Sequence, residues 1–343
     1  MKKILLGVLI GLSLAAFWWF FAPIDYYEYD ALSANECLAG EQYDEEYKVC
    51  YFDFYCETEA ECALVDEKYG DVLDALANEY VASETDHVPH GSKVVEVTEE
   101  QTSESVTPPS IHQKETVEPS YPNVSELMSF LLPTTKRAQI VEIVAESDGE
   151  DNTLAYVEPI DAKGATWKMA YDPIDTYDAK EKYKDINGLL TTLIHEYAHV
   201  LALDNTQVSH VGNNVEYIEC NNGETILNEG CAQNASYINA FITKYWTEED
   251  RGNAFAALEN NNEEDFAYEL FTKRPNGFVT EYAATNAVED MAESFALFVL
   301  KPRPTTNTVA DQKINFFYNY PELVTLRNHM RGGTAKILEA VGD

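Results

Sequence analysis

Residues 191–200 read TTLIHEYAHV, an HExxH motif inside an apolar stretch with helical periodicity. At about 3.6 residues per turn, His195 and His199 fall one turn apart on one helix face, so both imidazoles can reach one metal ion. Glu196 is rotated by about 100° from His195, so its carboxylate can reach a water molecule beside that metal. Two nitrogen ligands and a nearby base are what zinc-assisted hydrolysis of a peptide bond requires.

The alternative interpretation of this stretch is an ordinary amphipathic helix with two chance histidines. The aliphatic residues on both sides of the motif instead predict a buried helix that begins at about Asn187. Two histidines and a glutamate are costly inside such a helix unless something pairs them. The pattern therefore favours one bound Zn²⁺, with His195 and His199 as ligands and Glu196 as the general base.

A catalytic zinc ion usually takes a third protein ligand and keeps one position for water. The metzincin pattern requires Gly and His where this chain has Ala202 and Asn205, so that class of enzyme is excluded. His210 follows in a polar stretch and is a minor candidate. Glu229, in the segment ILNEGCA at residues 226–232, resembles the zinc glutamate of a family of aminopeptidases, at a longer distance from the motif.

Two further glutamates, Glu289 and Glu293, lie one turn apart in an otherwise apolar helix that is predicted to run to Leu300. Asn286 as N-cap with Glu289 three positions later also fits a capping box, which is the structural alternative for Glu289. Glu293 lies deeper in the apolar stretch, where an unpaired carboxylate is costly. One carboxylate on the metal and a second one orienting a ligand would account for both.

Two segments carry a resemblance to known metallopeptidases. HEYAH at residues 195–199, followed by YAATNAVEDMAE at 282–293, resembles the catalytic domain of anthrax lethal factor and its relatives. FFYNYPELV at 316–324 and EGC at 229–231 are similar to bacterial proteins described as zinc-binding metallopeptidases. The likeness covers about residues 135–335.

The resemblance implies a zincin of the gluzincin type that holds one zinc ion. It also implies a role for each matched site residue. These are the zinc ligands His195, His199 and Glu289, the general base Glu196, the transition-state hydrogen-bond donor Tyr282 and Glu293, a carboxylate that orients a zinc ligand.

Charge and the N-terminus restrict partners and location. The chain of 343 residues has 60 acidic against 23 basic side chains, which disfavours nucleic acid as a partner because phosphate contacts need clustered Lys and Arg.

The N-terminus indicates the location. Lys2 and Lys3 precede an uncharged apolar run at residues 4–22. This run predicts a membrane anchor within residues 1–25, with a cleaved signal peptide as the alternative. Either way the rest is expected outside the cytoplasm, in the periplasm or at the cell surface.

Cysteine spacing agrees with export. No CxxC pair is present, so disulfides are expected rather than a zinc ribbon. Cys220 and Cys231 are expected to bridge, closing a short loop. Four further cysteines lie close together in the sequence, and their pairing is left open. They are Cys37, Cys50, Cys56 and Cys62.

Four regions are predicted along the chain: the N-terminal segment, a small cysteine-rich module at 26–81, a disordered linker at 82–124 and a zincin-like domain at 125–343. The module ends in a helix whose apolar stripe is expected to form the module's own core. The linker is rich in Ser, Thr, Pro and Glu, and its histidines are expected to be solvated. They are His87, His90 and His112.

The domain is predicted to be α+β, with strands at residues 138–146, 153–160 and 165–171, then the HExxH helix and a mostly helical second half. The third strand is expected at the sheet edge that lines the cleft, where an extended peptide can add to it; the alternative is an internal strand. The sequence thus predicts a zinc-dependent endopeptidase of the cell envelope that acts on a protein or peptide. The alternative is a non-catalytic zincin-fold binding module anchored at the membrane.

Overall fold

The structure is a computed structural model and describes residues 42–44, 49–51, 59–84, 123–147, 149, 153–180, 182–211 and 219–341. The chain divides into two compact units, Met1–Asp53 and Phe54–Asp343. In the first unit, Gln42–Asp44 (β1) and Val49–Tyr51 (β2) pair as antiparallel strands.

Three predictions lie outside the described residues: the anchor or signal at residues 1–25, the pairing of the first four cysteines, and the linker histidines. Across the part of the chain that the structure describes, no helix combines the length and the apolar character needed to cross a membrane.

A three-stranded sheet opens the predicted catalytic region. It consists of Ile140–Ala145 (β3), Ala155–Pro159 (β4) and Trp167–Tyr171 (β5) in the order β3-β5-β4. Strand β3 runs parallel to β5, and β4 runs antiparallel to it. In the turn before β5, the Asp161 carboxylate accepts a hydrogen bond from the Lys163 amide at 2.9 Å. All three predicted strands are confirmed, with ends shortened by at most two residues.

The order of the strands corrects one prediction. The strand Trp167–Tyr171 was expected at the edge, but β5 is the central strand and pairs on both sides. Trp167 and Met169 are accordingly buried. The edge that lines the cleft is β4. Alternation along one strand reveals which side chains are buried, but it does not reveal how many neighbours the strand pairs with.

The rest of the large unit is mainly helical, as the predicted α+β class requires. Its helices are, in chain order, Glu59–Ser83 (α1), Val124–Leu131 (α2), Thr134–Arg137 (α3), Pro173–Thr176 (α4), Ile186–Leu203 (α5), Tyr237–Tyr245 (α6), Glu248–Glu259 (α7), Glu263–Lys273 (α8), Ala287–Leu300 (α9), Val309–Phe316 (α10) and Pro321–Val341 (α11). Short 3₁₀ turns lie at Tyr282–Ala284 and Phe317–Asn319.

Helix α5 carries the HExxH motif and begins where an aspartate caps it. The Asp185 carboxylate accepts a hydrogen bond from the Gly188 amide at 3.0 Å, satisfying a donor that the first helical turn leaves free. From Leu189 onward most of the helix is buried. It ends at Leu203, because Asp204 adopts an extended backbone conformation. The predicted buried helix and its start are confirmed.

Helix α9 packs against α5 in the core, and every residue from 290 to 300 is buried. Its last carbonyl groups are satisfied by two arginines of α11. Arg327 donates to the Lys301 carbonyl at 2.8 Å, and Arg331 donates to the Val299 carbonyl at 2.7 Å. A helix held in this way presents its side chains to α5 from a fixed position.

Helix α1 corrects a second prediction. Its apolar stripe was expected to form the core of the cysteine-rich module, yet Leu73, Leu76 and Tyr80 belong to the core of the large unit. The helix contacts α5, α9 and α11. The prediction was wrong because an apolar stripe specifies that a helix face is buried, but not which element covers it. The boundary expected at residue 81 therefore does not separate this helix from residues 125–343.

A second small sheet follows α5. It consists of Val208–His210 (β6), Thr225–Ile226 (β7) and Gly230–Ala232 (β8), all antiparallel, in the order β6-β8-β7. The predicted bridge between Cys220 and Cys231 is present, with a Cα–Cα distance of 5.5 Å. It ties the segment before β7 to β8.

Candidate metal centre

Three side-chain atoms converge beside the HExxH motif. The Nε2 atoms of His195 and His199 lie 3.0 Å apart. Oε2 of Glu289 lies 3.1 Å from Nε2 of His195 and 3.2 Å from Nε2 of His199. A carboxylate oxygen of Glu196 lies within 4.8 Å of both imidazoles. His195, Glu196 and His199 are therefore close enough together to bind a metal ion.

The position of Glu289 follows from the start of α9. The Asn286 side chain accepts hydrogen bonds from the amides of Val288 at 2.9 Å and Glu289 at 3.0 Å, so Asn286 is the N-cap that the sequence suggested. The Glu289 carboxylate points to the two histidines instead of returning to the cap. The capping-box alternative thus holds for Asn286 but not for the side chain of Glu289.

A buried hydrogen-bonded group lies behind His195. The Nδ1 atom of His195 is 2.7 Å from Oε1 of Glu293 and 3.1 Å from the Tyr80 hydroxyl. Tyr80 also donates to Oε1 of Glu293, and the Thr280 hydroxyl donates to Oε2 at 2.7 Å. Because Nδ1 faces a carboxylate, it carries a proton, and Nε2 is the nitrogen left to bind a metal ion beside the other converging atoms.

The donor set and its spacing fit a divalent cation. Ligand atoms about 2.0–2.1 Å from a tetrahedral zinc ion lie about 3.3 Å from one another, close to the 3.0–3.2 Å among these three atoms. Two imidazole nitrogens and a carboxylate oxygen also form a usual ligand set for zinc. The lone pairs of two neutral Nε2 atoms repel each other when the atoms lie only 3.0 Å apart. A cation or a proton between them removes this repulsion.

The charges in the cluster support the same conclusion. Burial alone would raise the pKa of Glu289, but the two histidines outweigh it and hold that pKa well below its usual range. Burial would likewise lower the pKa of His195 and His199, but Glu289 raises both pKa values above the ordinary range. The cluster attracts positive charge, which a metal ion supplies when it displaces the protons.

Glu196 lies beside the converging atoms without joining them. Burial raises the pKa of its carboxyl, and the nearby His199 and His195 oppose this shift only in part. The backbone amide of Val157 in β4 also favours the ionised form. A general base is most effective when its pKa approaches the working pH, so this environment suits proton transfer.

Tyr282 lies in the 3₁₀ turn before α9. Its ring centroid is 6.0 Å from that of His195, and the side chain lines the cleft. Although 42% of the residue is exposed, enclosure by the cleft walls raises the pKa of its phenol, and the carboxylates of Glu289 and Glu196 raise it further. The hydroxyl therefore keeps its proton and can donate a hydrogen bond.

The other two ligand candidates are placed differently. Glu229 lines the cleft, but its Oε2 atom is buried without a hydrogen-bond partner among the described residues. The Nε2 atom of His210 lies 2.5 Å from the Leu203 carbonyl oxygen, and its ring packs edge-on against Trp167. In the described part of the chain, Glu289 is the one candidate of the three with a ligand atom within 3.2 Å of the Nε2 atoms of both histidines.

A cleft of about 480 Å³ opens beside the cluster, lined by β4, residues 226–229 and the start of α9. The Leu154 carbonyl accepts from the Asp172 amide at 2.9 Å, so Leu154 faces β5. Because successive residues of a strand direct their backbone groups to opposite edges, those of Ala155 and Val157 point away from β5. Strand β4 is thus an outer edge of the sheet in the cleft, where the Val157 amide already bonds the Glu196 carboxylate.

Two residues of the site carry no role in the sequence analysis. Tyr80 was assigned to the apolar stripe of α1, and Thr280 had no assigned role. The pattern of α1 could not identify Tyr80, because a tyrosine in an apolar stripe most often packs in the core. A hydroxyl residue shortly before the predicted helix of Glu289 and Glu293 was a possible signal for Thr280, although such residues are common in turns.

Comparisons with known proteins add no family to this geometry. No family model matches the chain, and neither the curated proteins nor the solved structures include a match. The function is therefore inferred from the residues of the site.

Proposed function

We propose that this protein is a zinc-dependent endopeptidase of the zincin type, with zinc held by His195, His199 and Glu289. The observation that carries the proposal is the convergence of two imidazole nitrogens and one carboxylate oxygen at 3.0–3.2 Å beside the separate carboxylate of Glu196. A structural zinc site fills four positions with protein ligands. Three ligands and a nearby base instead support hydrolysis.

Each residue then has a defined task. A zinc ion held by His195, His199 and Glu289 would supply Lewis acidity, which would acidify water and polarise a carbonyl oxygen. The Glu196 carboxylate accepts the proton of the attacking water and passes it to the leaving amine nitrogen. The Tyr282 hydroxyl donates a hydrogen bond to the carbonyl oxygen as negative charge develops there. Glu293 accepts the Nδ1 proton of His195 and so fixes the orientation of that imidazole.

The outer edge of β4 supports an extended peptide as the substrate. A peptide strand can form main-chain hydrogen bonds with Ala155 and with the Val157 carbonyl, while its side chains enter the cleft. This mode of binding places the scissile carbonyl by backbone contacts, so it fits an enzyme that cuts within a chain.

An exported location is part of the proposal. The disulfide between Cys220 and Cys231 supports it, because such bridges persist in oxidising compartments. The apolar run at residues 4–22 after Lys2 and Lys3 supports it independently.

Mass-spectrometric cleavage profiling of the zinc-loaded full chain against a diverse peptide library tests the function. We expect internal cuts from the unmutated protein and at least about 100-fold slower cleavage by Glu196→Gln, which should still bind zinc. Equal cleavage by both proteins would assign the cuts to another agent. A folded, zinc-loaded protein that cuts nothing would favour the non-catalytic binding module.

A further inference from the structure

The Tyr80 side chain reaches the metal cluster from a distant part of the chain. Tyr80 lies 115 positions before His195 in the sequence. Residues 85–122 come between its helix and the following elements of the large unit along the chain. The Tyr80 hydroxyl contacts both Nδ1 of His195 and Oε1 of Glu293. The residue is only 7% exposed, so bulk water does not replace these contacts.

The packing of the ring alone does not account for this hydroxyl. A phenylalanine would fill the same apolar position between α1, α5 and α9. A buried hydroxyl that found no partner would cost free energy, whereas this one donates to the carboxylate that orients His195. The contact therefore has a chemical consequence, which is to support negative charge on Glu293.

Contacts along α1 hold Tyr80 in this position. Near the start of the helix, Asp66 accepts a hydrogen bond from Arg331 of α11 at 3.0 Å. Near its end, Glu79 accepts one from the Asn187 side chain of α5 at 3.0 Å. The helix is thus fixed at both ends against the elements that build the site.

We infer that Tyr80 is a positioning residue of the metal centre, acting through Glu293 on His195. This inference rests on the proposed function, since it requires a metal on His195. Three donors, from Tyr80, Thr280 and Nδ1 of His195, share the Glu293 carboxylate, which no other described cation neutralises by an ion pair. Loss of the Tyr80 donor leaves Glu293 freer to rotate and His195 less firmly directed at the metal. Helix α1, which precedes residues 85–122 in sequence, therefore supplies part of the site.

Zinc affinity of the full chain, measured by competition with a chromophoric chelator, tests the inference. Tyr80→Phe keeps the ring and removes the hydroxyl, and we expect it to weaken zinc binding by about 10–100-fold. Tyr69→Phe is the matched control, because the Tyr69 hydroxyl, on the same helix, bonds Glu339 of α11 at 2.8 Å. The control should bind zinc as the unmutated protein does.

A double-mutant cycle separates positioning from a general loss of stability. If Tyr80 acts through Glu293, Tyr80→Phe should have little further effect on zinc affinity in a Glu293→Gln protein. Undiminished affinity in Tyr80→Phe, or an equal loss in both backgrounds, would overturn the inference while leaving the proposed function intact. Failure of the unmutated chain to bind zinc would overturn both.

Discussion

A buried ion pair next to the proposed zinc ligand offers a quantitative test of the packing around α9. Asp290 and Lys313 are 0% and 1% exposed at their side chains, and Nζ of Lys313 lies 2.6 Å from Oδ2 of Asp290. Trp246 donates to the same carboxylate oxygen at 2.7 Å. We predict that Lys313→Met, which keeps most of the side-chain length and removes the charge, destabilises the protein strongly at pH 8.

The magnitude follows from burial of the carboxylate. Burial raises the pKa of Asp290 to about 6 even though Lys313 opposes the shift. Relative to the ordinary value of 3.8, and at 1.36 kcal/mol per pKa unit, the charged form costs the native state about 3 kcal/mol at neutral pH. Without Lys313 the pKa rises further, and removal of one partner of a buried pair typically costs about 3–5 kcal/mol.

The sign of the pH dependence is fixed by the raised pKa. A carboxyl whose folded pKa exceeds its unfolded value contributes stability below the unfolded value, and loses it as the pH rises through the folded value. The penalty of Lys313→Met should therefore be larger at pH 8 than at pH 5, where Asp290 takes up a proton. Adding Asp290→Asn to the variant should restore much of the stability at pH 8.

Urea denaturation at the two pH values measures this effect as a shift of the midpoint at constant m-value. If Lys313→Met lost the same free energy of unfolding at pH 5 and at pH 8, the prediction would be wrong. Such a result would mean that the substitution leaves no unpaired charge in the core.

Three shorter predictions concern the site. Glu289→Ala should weaken zinc binding by at least about 100-fold, whereas Glu229→Ala should retain zinc; metal analysis after dialysis distinguishes them, and the reverse result would reassign the ligand. Tyr282→Phe should lower kcat by about 10-fold or more with zinc content unchanged; an unaltered kcat in steady-state assays would remove its proposed role. Although burial opposes the shift, Glu289 raises the pKa of His195 and His199, so zinc binding near pH 7 should release protons and weaken as the pH falls. Calorimetry in buffers of different ionisation enthalpy measures that release, and its absence would contradict the assigned protonation.

Local sequence patterns predict the elements of this fold well. The apolar period around His195 predicts a buried helix, and alternation predicts β3, β4 and β5, because both signals depend on neighbouring residues. Sheet order depends on partners far away in sequence, so the strand at Trp167–Tyr171 was wrongly placed at the edge. The partner of α1 was missed for the same reason.

The candidate site divides in a similar way. Spacing alone brings together His195, Glu196 and His199, because one helical turn is a local geometry. The choice between Glu289 and Glu229 requires knowledge of how α9 packs against α5, which a motif does not contain. Tyr80 lies beyond the reach of any motif, since its contact joins residues 115 positions apart.

X-ray diffraction from zinc-soaked crystals of the full chain, recorded on both sides of the zinc absorption edge, would locate the metal and its ligands. We predict one strong anomalous peak within about 2.0–2.2 Å of Nε2 of His195, Nε2 of His199 and a carboxylate oxygen of Glu289, with Glu196 outside the coordination sphere. A peak that is bound by Glu196 or Glu229 in place of Glu289, or no peak at the histidines, would contradict this prediction.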